Sequence, residues 1–138
     1  MKVALFGGTG FVGSYLVDAL LAHGHTPRLL VRPGSESKVV QPERCEIVPG
    51  DIQDRDAIIA CLEGADAAIY NIGLLREFPA QGVTWEKMHY QGAARVIDAA
   101  VAAGVKRFLL MSANGVKPDG TGYQSTKFRA EKHLAASG

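Results

Sequence analysis

Residues 1–15, MKVALFGGTGFVGSY, decide the fold. The apolar run at residues 3–6 predicts a buried strand, and an amphipathic helical pattern follows the glycines at positions 7, 10 and 13. Glycine at these positions suits a tight turn, close approach of backbone to a pyrophosphate, and close packing of helix on strand. Since a helix N-terminus favours negative charge, the stretch predicts a dinucleotide phosphate site. We expect cofactor contacts at Gly7, Thr9, Gly10, Phe11, Val12 and Gly13.

The composition is that of one globular domain. The chain has 138 residues, of which 47% are apolar and 21% charged, with a formal net charge of +1. This balance gives no broad basic field for nucleic acid. Cys45 and Cys61 lack metal-ligand or redox spacing, and His23 and His25 have no companion ligands, so we expect no metal. With a strand starting at residue 3 and no membrane-length apolar run, we expect no signal peptide, no membrane insertion and a cytoplasmic location.

A second strand is predicted at residues 28–31, and its end is where such folds meet the adenosine ribose. An acidic residue there would accept from the ribose 2′-hydroxyl, but this chain has Arg32, with Lys38 nearby. A cation favours a 2′-phosphate, which predicts NADP rather than NAD. The alternative is that Arg32 and Lys38 are solvated loop charges.

The ends of the next two strands provide further candidates. Asp51 and Ile52 follow the strand predicted at residues 46–49, and Asp51 can accept from an adenine amino group. Capping of the helix at 57–62 is an alternative role for Asp51, although Asp54 is the better cap. After the strand at 67–70, Asn71 and Gly73 lie where backbone passes near a ligand. The irregular segment 74–83 predicts a loop over the cofactor.

The order of elements predicts an α/β fold. The first helix shows an apolar stripe and ends at Gly24, the stripe comprising Val12, Tyr15, Leu16, Ala19, Leu20 and Ala22. A long helix is expected from Trp85 to Ala103, before a fifth strand at 107–111. Five short buried strands alternating with helices predict a Rossmann-like, doubly wound parallel sheet in the order 3-2-1-4-5, in three layers.

A second motif, Y-x-x-x-K, lies at residues 123–127. On a helix, Tyr123 and Lys127 share one face. An ammonium one turn away favours the phenolate, so Tyr123 could transfer a proton while a cofactor carries a hydride. A surface pair is the default for such spacing, and the position after the fifth strand favours a functional pair.

These motifs resemble the short-chain dehydrogenase/reductase superfamily, in its extended and atypical branch. GGTGFVG, the Gly-Asp at 50–51, GVKRF at 104–108, YQSTK and Ala130-Glu131 carry the resemblance, which covers essentially the whole chain. Residues 88–93 and 112–115 are most similar to the atypical group that includes the nucleotide-binding accessory subunit of respiratory complex I. The resemblance implies cofactor contacts at Gly7, Gly10, Gly13, Arg32, Asp51 and Lys127, and a catalytic set at Ser112, Tyr123 and Lys127.

The chain departs from the superfamily pattern in three ways. His89 stands where many members have Asn, which puts a water relay to the lysine in question, and Ala113 stands where the catalytic serine often lies. Relatives also continue past the helix that ends this chain, so we expect residues 1–138 to be the N-terminal, cofactor-binding domain of a longer protein, truncated before the last strands and the substrate domain.

Three functions remain open from the sequence. The leading one is an NADP-dependent oxidoreductase domain with an unidentified small-molecule substrate. The second is a non-catalytic dinucleotide-binding sensor or scaffold, and the third a nucleotide-sugar epimerase or dehydratase. A homodimer or a larger complex is possible under each.

Overall fold

A computed structural model describes residues 1–74 and 76–137. The strands are β1 (Lys2–Phe6), β2 (Thr26–Val31), β3 (Glu46–Pro49), β4 (Ala67–Tyr70) and β5 (Arg107–Leu110). The α-helices are α1 (Phe11–Ala22), α2 (Arg55–Leu62), α3 (Gly92–Ala102) and α4 (Gly122–Ala136). A π-helix, Glu86–Gln91, runs directly into α3.

The five strands form a parallel sheet in the order β3-β2-β1-β4-β5, which confirms the predicted Rossmann-like topology. Phe6 is in register with Leu30 of β2 and with Tyr70 of β4. Because all strands point the same way, the segments that follow them meet at one edge of the sheet. The sheet thereby brings together the predicted ligand contacts from four distant parts of the sequence.

Helices cover both faces of the sheet. On one face, Val17 and Leu21 of α1 pack against Leu5 and Leu29. On the other, α2, α3 and α4 bury a second cluster that includes Phe6 and Tyr70. The three predicted layers are therefore present, and the sheet is the shared wall of two cores.

The buried face of α1 differs from the predicted stripe. Gly13, Val17 and Leu21 are buried, whereas Tyr15 is 64% exposed and Val12 44% exposed. The reason is the contact at Gly13: a Cβ there would lie 2.7 Å from the Gly8 carbonyl carbon and closer still to the Gly7 oxygen. This backbone contact fixes the rotation of the helix, and the apolar stripe follows from it.

The predicted long helix is present, but its first part is a π-helix. The Tyr70 hydroxyl donates to the Met88 carbonyl oxygen at 2.6 Å, which gives this carbonyl a partner outside the helix. Burial raises the pKa of Tyr70, so the hydroxyl stays protonated and can donate. Widened turns of this kind are frequent at functional sites, and this one faces the carboxyl edge of the sheet.

We expect Gly13→Ala to lower the free energy of unfolding by about 1–3 kcal/mol or more, because the added methyl group meets backbone that cannot move aside. Urea unfolding followed by circular dichroism measures the change. Gly10→Ala is the matched control, since a Cβ at Gly10 meets nothing within 4 Å. Equal losses in the two variants would contradict the contact argument.

Candidate functional site

A cleft of about 430 Å³ lies at the carboxyl edge of the sheet. It runs past the ends of β1, β2, β3 and β4 and is closed on one side by the loop after β4. Its lining includes most of the predicted cofactor contacts, namely Gly7, Thr9, Gly10, Arg32, Asp51, Ile52, Asn71 and Gly73. The other three predicted contacts on the glycine turn lie outside the lining: Phe11 and Val12 are exposed on α1, and Gly13 is buried beneath the turn.

The glycine turn and the start of α1 fit a dinucleotide pyrophosphate. Gly7 has φ +96°, and a Cβ there would lie 2.9 Å from the Asn71 backbone. Gly10 borders open space, no side chain caps the helix N-terminus, and its first turn carries no acidic residue. Backbone N–H groups at this helix start can therefore face a phosphate without a competing anion.

Two polar residues of the cleft also hold the backbone around it. Asn71 Nδ2 donates to the Gly7 carbonyl oxygen at 3.3 Å, which ties the end of β4 to the glycine turn. Asp51 Oδ1 accepts from the Gln53 N–H at 2.9 Å, while Asp54 caps α2 by accepting from the Ala57 N–H. Asp54 is therefore the helix cap, as expected, and Asp51 lines the cleft.

Arg32 lines the cleft directly after β2 and is exposed. In the turn that follows, the Glu36 carboxylate accepts from the Gly34 N–H at 2.9 and 3.1 Å. Hydrogen bonds from the backbone N–H groups of Glu36 itself and of Gly34 lower the pKa of Glu36. This end of the cleft therefore combines a cation with a carboxylate four residues later in the sequence. The two charges would have opposite effects on a bound phosphate.

The loop expected over the cofactor does line the cleft, through Leu74, Phe78, Gln81 and Val83. Phe78 and Val83 pair across it as an antiparallel bridge. Within this segment, Leu75 falls outside the described residues. The Trp85 side chain donates to the Leu74 carbonyl oxygen at 3.1 Å, and its backbone N–H donates to Glu77. The loop is thus held to the start of the following helical segment.

Tyr123 and Lys127 lie on one face of α4, as the spacing predicts. Lys127 Nζ is 5.6 Å from the centre of the Tyr123 ring and donates to the Met111 carbonyl oxygen at 3.3 Å. Neither residue lines the cleft, but a Cβ at Gly73, which does, would lie 3.3 Å from Lys127 Nζ. The ammonium therefore lies beside the end of the cleft.

Lys127 is only 5% exposed. Burial lowers its pKa, and the negative charge of Glu131 partly opposes this. The ammonium is thus easier to deprotonate than that of a surface lysine.

The third predicted catalytic residue, Ser112, is engaged elsewhere. Its hydroxyl donates to the Glu131 carboxylate at 2.6 Å. A hydroxyl has a single proton to donate, so Ser112 must leave Glu131 before it can polarise a substrate carbonyl. Glu131 was not predicted to be a site residue; it entered the sequence analysis only as part of the Ala130-Glu131 pair that supports the family resemblance.

Sequence reasoning missed the part played by His89. This residue is 2% exposed and contacts the loop after β4 and helix α4 together. Arg95 was also missed: its guanidinium donates to the Ile52 carbonyl oxygen at 2.8 Å and fixes that wall of the cleft. Neither contact shows in a motif, because the partners of both residues lie far away in the sequence and meet only in the folded chain.

Other expectations concern metal, cysteine and membrane. No group of three or more His, Cys, Asp or Glu side chains that could hold a metal ion occurs within residues 1–74 and 76–137. Cys61 is buried, which raises the pKa of its thiol to about 12, and Cys45 is half-buried, so neither matches a reactive thiolate. In the same part of the chain, no helix has the length and apolar character needed to cross a membrane.

A family model described as NAD(P)H-binding matches residues 7–138. Relatives that are 31% identical include the ceramide reductase of Caulobacter vibrioides, the 3 beta-hydroxysteroid dehydrogenase/Delta 5→4-isomerase of Mycobacterium tuberculosis and an uncharacterized sugar epimerase of Bacillus subtilis. These alignments cover 98%, 83% and 100% of this chain, and 42%, 32% and 67% of the respective relatives. The chain thus spans less than half the length of the first two relatives.

Solved structures share the fold. WbmH of Bordetella bronchiseptica, in complex with NAD+, matches with a TM-score of 0.82 and 20% identity, over 99% of this chain and 52% of that one. A short-chain dehydrogenase/reductase superfamily protein from Agrobacterium tumefaciens, with bound NAD, matches with a TM-score of 0.74 and 24% identity, over 97% of this chain and 44% of that one. The chain belongs to the NAD(P)H-binding family, in the extended branch of the short-chain dehydrogenases/reductases.

Gly10→Val is expected to abolish dinucleotide binding while leaving the fold intact, because its side chain would occupy the open space where a pyrophosphate approaches. Calorimetric titration with NADPH and NADH measures the loss. Ala22→Val places the same side chain at the exposed far end of α1 and is the control. If Gly10→Val binds NADPH and NADH as tightly as the parent protein, the phosphates do not bind at this turn.

Proposed function

We propose that the chain is the cofactor-binding part of an NADP(H)-dependent oxidoreductase in which Tyr123 is the acid-base residue. The observation that carries this is the place of Lys127, whose ammonium lies beside both the Tyr123 ring and the cleft residue Gly73. A buried lysine with a lowered pKa beside a cleft is characteristic of catalytic sites. When bound, the nicotinamide supplies or accepts the hydride.

The chain's own residues account for the proton. In the reducing direction, the Tyr123 hydroxyl gives its proton to the substrate carbonyl oxygen as that carbon gains a hydride, so that an alcohol forms. Lys127 lowers the cost of the resulting phenolate and can donate to a ribose hydroxyl at the Gly73 end of the cleft. Ser112 orients the carbonyl once its hydroxyl is released from Glu131.

The preference for NADP rests on Arg32. It lies on the cleft wall, and no acidic residue occupies the end of β2 itself. A guanidinium can pair with a 2′-phosphate in two hydrogen bonds. The Glu36 carboxylate in the next turn opposes this, so the selectivity is set by the difference between the two charges.

One observation favours a non-catalytic sensor as the second candidate. The Ser112 hydroxyl is committed to Glu131 at 2.6 Å, and a site without a free hydroxyl can bind a dinucleotide yet fail to activate a carbonyl. A nucleotide-sugar epimerase or dehydratase remains the third candidate, in keeping with one relative described as a sugar epimerase.

For cofactor selectivity, Arg32→Ala should narrow the preference for NADPH over NADH by about 1–3 kcal/mol, the size of a charge-assisted contact. Titrations with both cofactors give the difference. Arg107→Ala, which removes an exposed guanidinium on β5 outside the cleft lining, is the control. Equal affinity of the parent protein for NADH and NADPH would refute the role of Arg32.

For catalysis, Tyr123→Phe in the full-length protein should reduce turnover by at least about 10²–10⁴-fold and leave NADPH affinity unchanged. Lys127→Met should weaken both turnover and affinity, because its ammonium serves the phenol and the cofactor. A panel of carbonyl substrates with NADPH provides the assay. Tyr15→Phe makes the same change on exposed α1 and is the control.

If turnover is found and Tyr123→Phe retains it within a few-fold, the assigned proton donor is wrong. If NADPH binds but no carbonyl is reduced by the parent, the sensor is the better assignment.

A further inference from the structure

The His89 side chain lies where three parts of the site meet. It belongs to the π-helix, and its Nε2 accepts a hydrogen bond from the Leu74 N–H at 2.8 Å. Its Nδ1 lies 3.2 Å from Thr126 Oγ1 on α4. The ring also packs edge-on against Tyr123, with 5.0 Å between ring centres. One buried side chain therefore joins the loop after β4, the π-helix and the helix that carries Tyr123 and Lys127.

These contacts allow one tautomer of the neutral ring. Because Nε2 accepts from a backbone N–H, it carries no proton, and the proton of the neutral ring lies on Nδ1. Nδ1–H then donates to Thr126 Oγ1, which donates in turn to the Gly122 carbonyl oxygen at 2.7 Å. The donors and acceptors form a single directed chain from Leu74 to the first residue of α4.

The Gly73 backbone lies close to both His89 and the Lys127 ammonium. A Cβ at Gly73 would lie 3.8 Å from His89 Nε2 and 3.3 Å from Lys127 Nζ. Since Gly73 directly precedes Leu74, a shift of the Leu74 backbone also changes where the backbone of Gly73 lies against Lys127. The hydrogen bond from the Leu74 N–H to His89 Nε2 therefore affects the distance between the Gly73 backbone and Lys127, although His89 makes no hydrogen bond to Lys127.

We propose that His89, fixed as the Nδ1–H tautomer, is a positioning residue that holds the 74–83 loop against the Tyr123–Lys127 face of α4. Both ring nitrogens are used by protein groups, so His89 does not carry protons to or from Lys127. Its effect on chemistry rests on the proposed oxidoreductase function, whereas its effect on the loop does not.

The surroundings of the ring favour its neutral form. The titratable groups that face it are Lys127 and Tyr123 of α4. Glu131, also on α4, opposes the lowering of the Lys127 pKa, and on the loop side the Glu77 carboxylate accepts from the Trp85 N–H. Burial and, secondly, the positive charge of Lys127 lower the pKa of His89 from 6.5 to about 4. Since the unfolded chain takes up this proton first, the contribution of His89 to stability falls as pH decreases from 6.5 towards 4.

The first test is the ring itself, in the parent protein with ¹⁵N-labelled histidine. Two-bond ¹H–¹⁵N correlations assign the tautomer directly. We expect an unprotonated Nε2 and a protonated Nδ1 for His89 throughout about pH 5–8. A protonated Nε2, or a ring that titrates near the ordinary value for histidine, overturns the proposal without any variant having to fold.

The second test compares His89→Gln, His89→Ala and Thr126→Val by hydrogen exchange at the Leu74 amide and by NADPH titration. His89→Gln retains an acceptor for the Leu74 N–H, so protection should stay within a few-fold of the parent. His89→Ala should lose at least about tenfold in protection and in NADPH affinity. Thr126→Val removes the partner of Nδ1 and should give an intermediate loss. His23→Gln, exposed at the end of α1, is the control.

Turnover of the full-length protein separates this proposal from the proposed function. If the parent protein reduces no carbonyl but the His89→Ala variant loses protection of the Leu74 amide, the positioning role stands and the oxidoreductase function fails. If the parent turns over and His89→Ala retains Leu74 protection and NADPH affinity, the positioning role is wrong and the function stands. Rescue by Gln but not by Ala distinguishes the hydrogen bond from simple filling of space.

Discussion

The packing of helix α1 on the Gly7–Gly8 backbone is the contact on which the remaining structure depends. With no side chain at residue 13, the helix starts directly above the turn, and its N-terminus points along the edge where four strands end. An open helix start that can face a phosphate and a tightly packed first βα unit are thus two results of one close approach. The rotation imposed at Gly13 also decides that Val17 and Leu21, rather than Val12 and Tyr15, enter the core.

The sequence was sufficient for the strands, their order and the edge of the sheet at which the cleft lies. Short buried runs separated by glycines identify parallel strands, and the topology follows from the rules of right-handed crossover. The sequence was not sufficient to predict which side of α1 is buried or that a π-helix precedes α3. Apolar periodicity averages over several side chains, whereas a single backbone contact at Gly13 and a single hydroxyl from Tyr70 determined those two features.

The same distinction applies to the candidate site. Residues that belong to motifs at strand ends, such as Gly10, Asp51 and Gly73, line the cleft as their positions suggest. Residues that act through long-range hydrogen bonds could not be identified in this way. Ser112 meets Glu131 19 residues later, and His89 meets Thr126 37 residues later, at distances that only the packed helices bring within reach. Motifs therefore predicted which residues line the cleft better than they predicted the hydrogen bonds beside it.

The Lys127 ammonium is buried at a cost in stability. Its ammonium is buried with a carbonyl oxygen as hydrogen-bond partner, and none of the ion pairs found within residues 1–74 and 76–137 includes it. Burying a charge without a close counterion costs stability, commonly several kcal/mol, and the lowered pKa of Lys127 is the direct expression of that cost. A purely structural helix gains nothing from this arrangement, since an apolar side chain of similar length would pack there at lower cost. Groups that complement the ammonium, such as a phenolate at Tyr123 or the hydroxyls of a bound dinucleotide, recover part of the cost. A buried cation with a lowered pKa beside a cleft is therefore the feature of the fold that most favours the proposed role of Lys127 in binding and proton transfer.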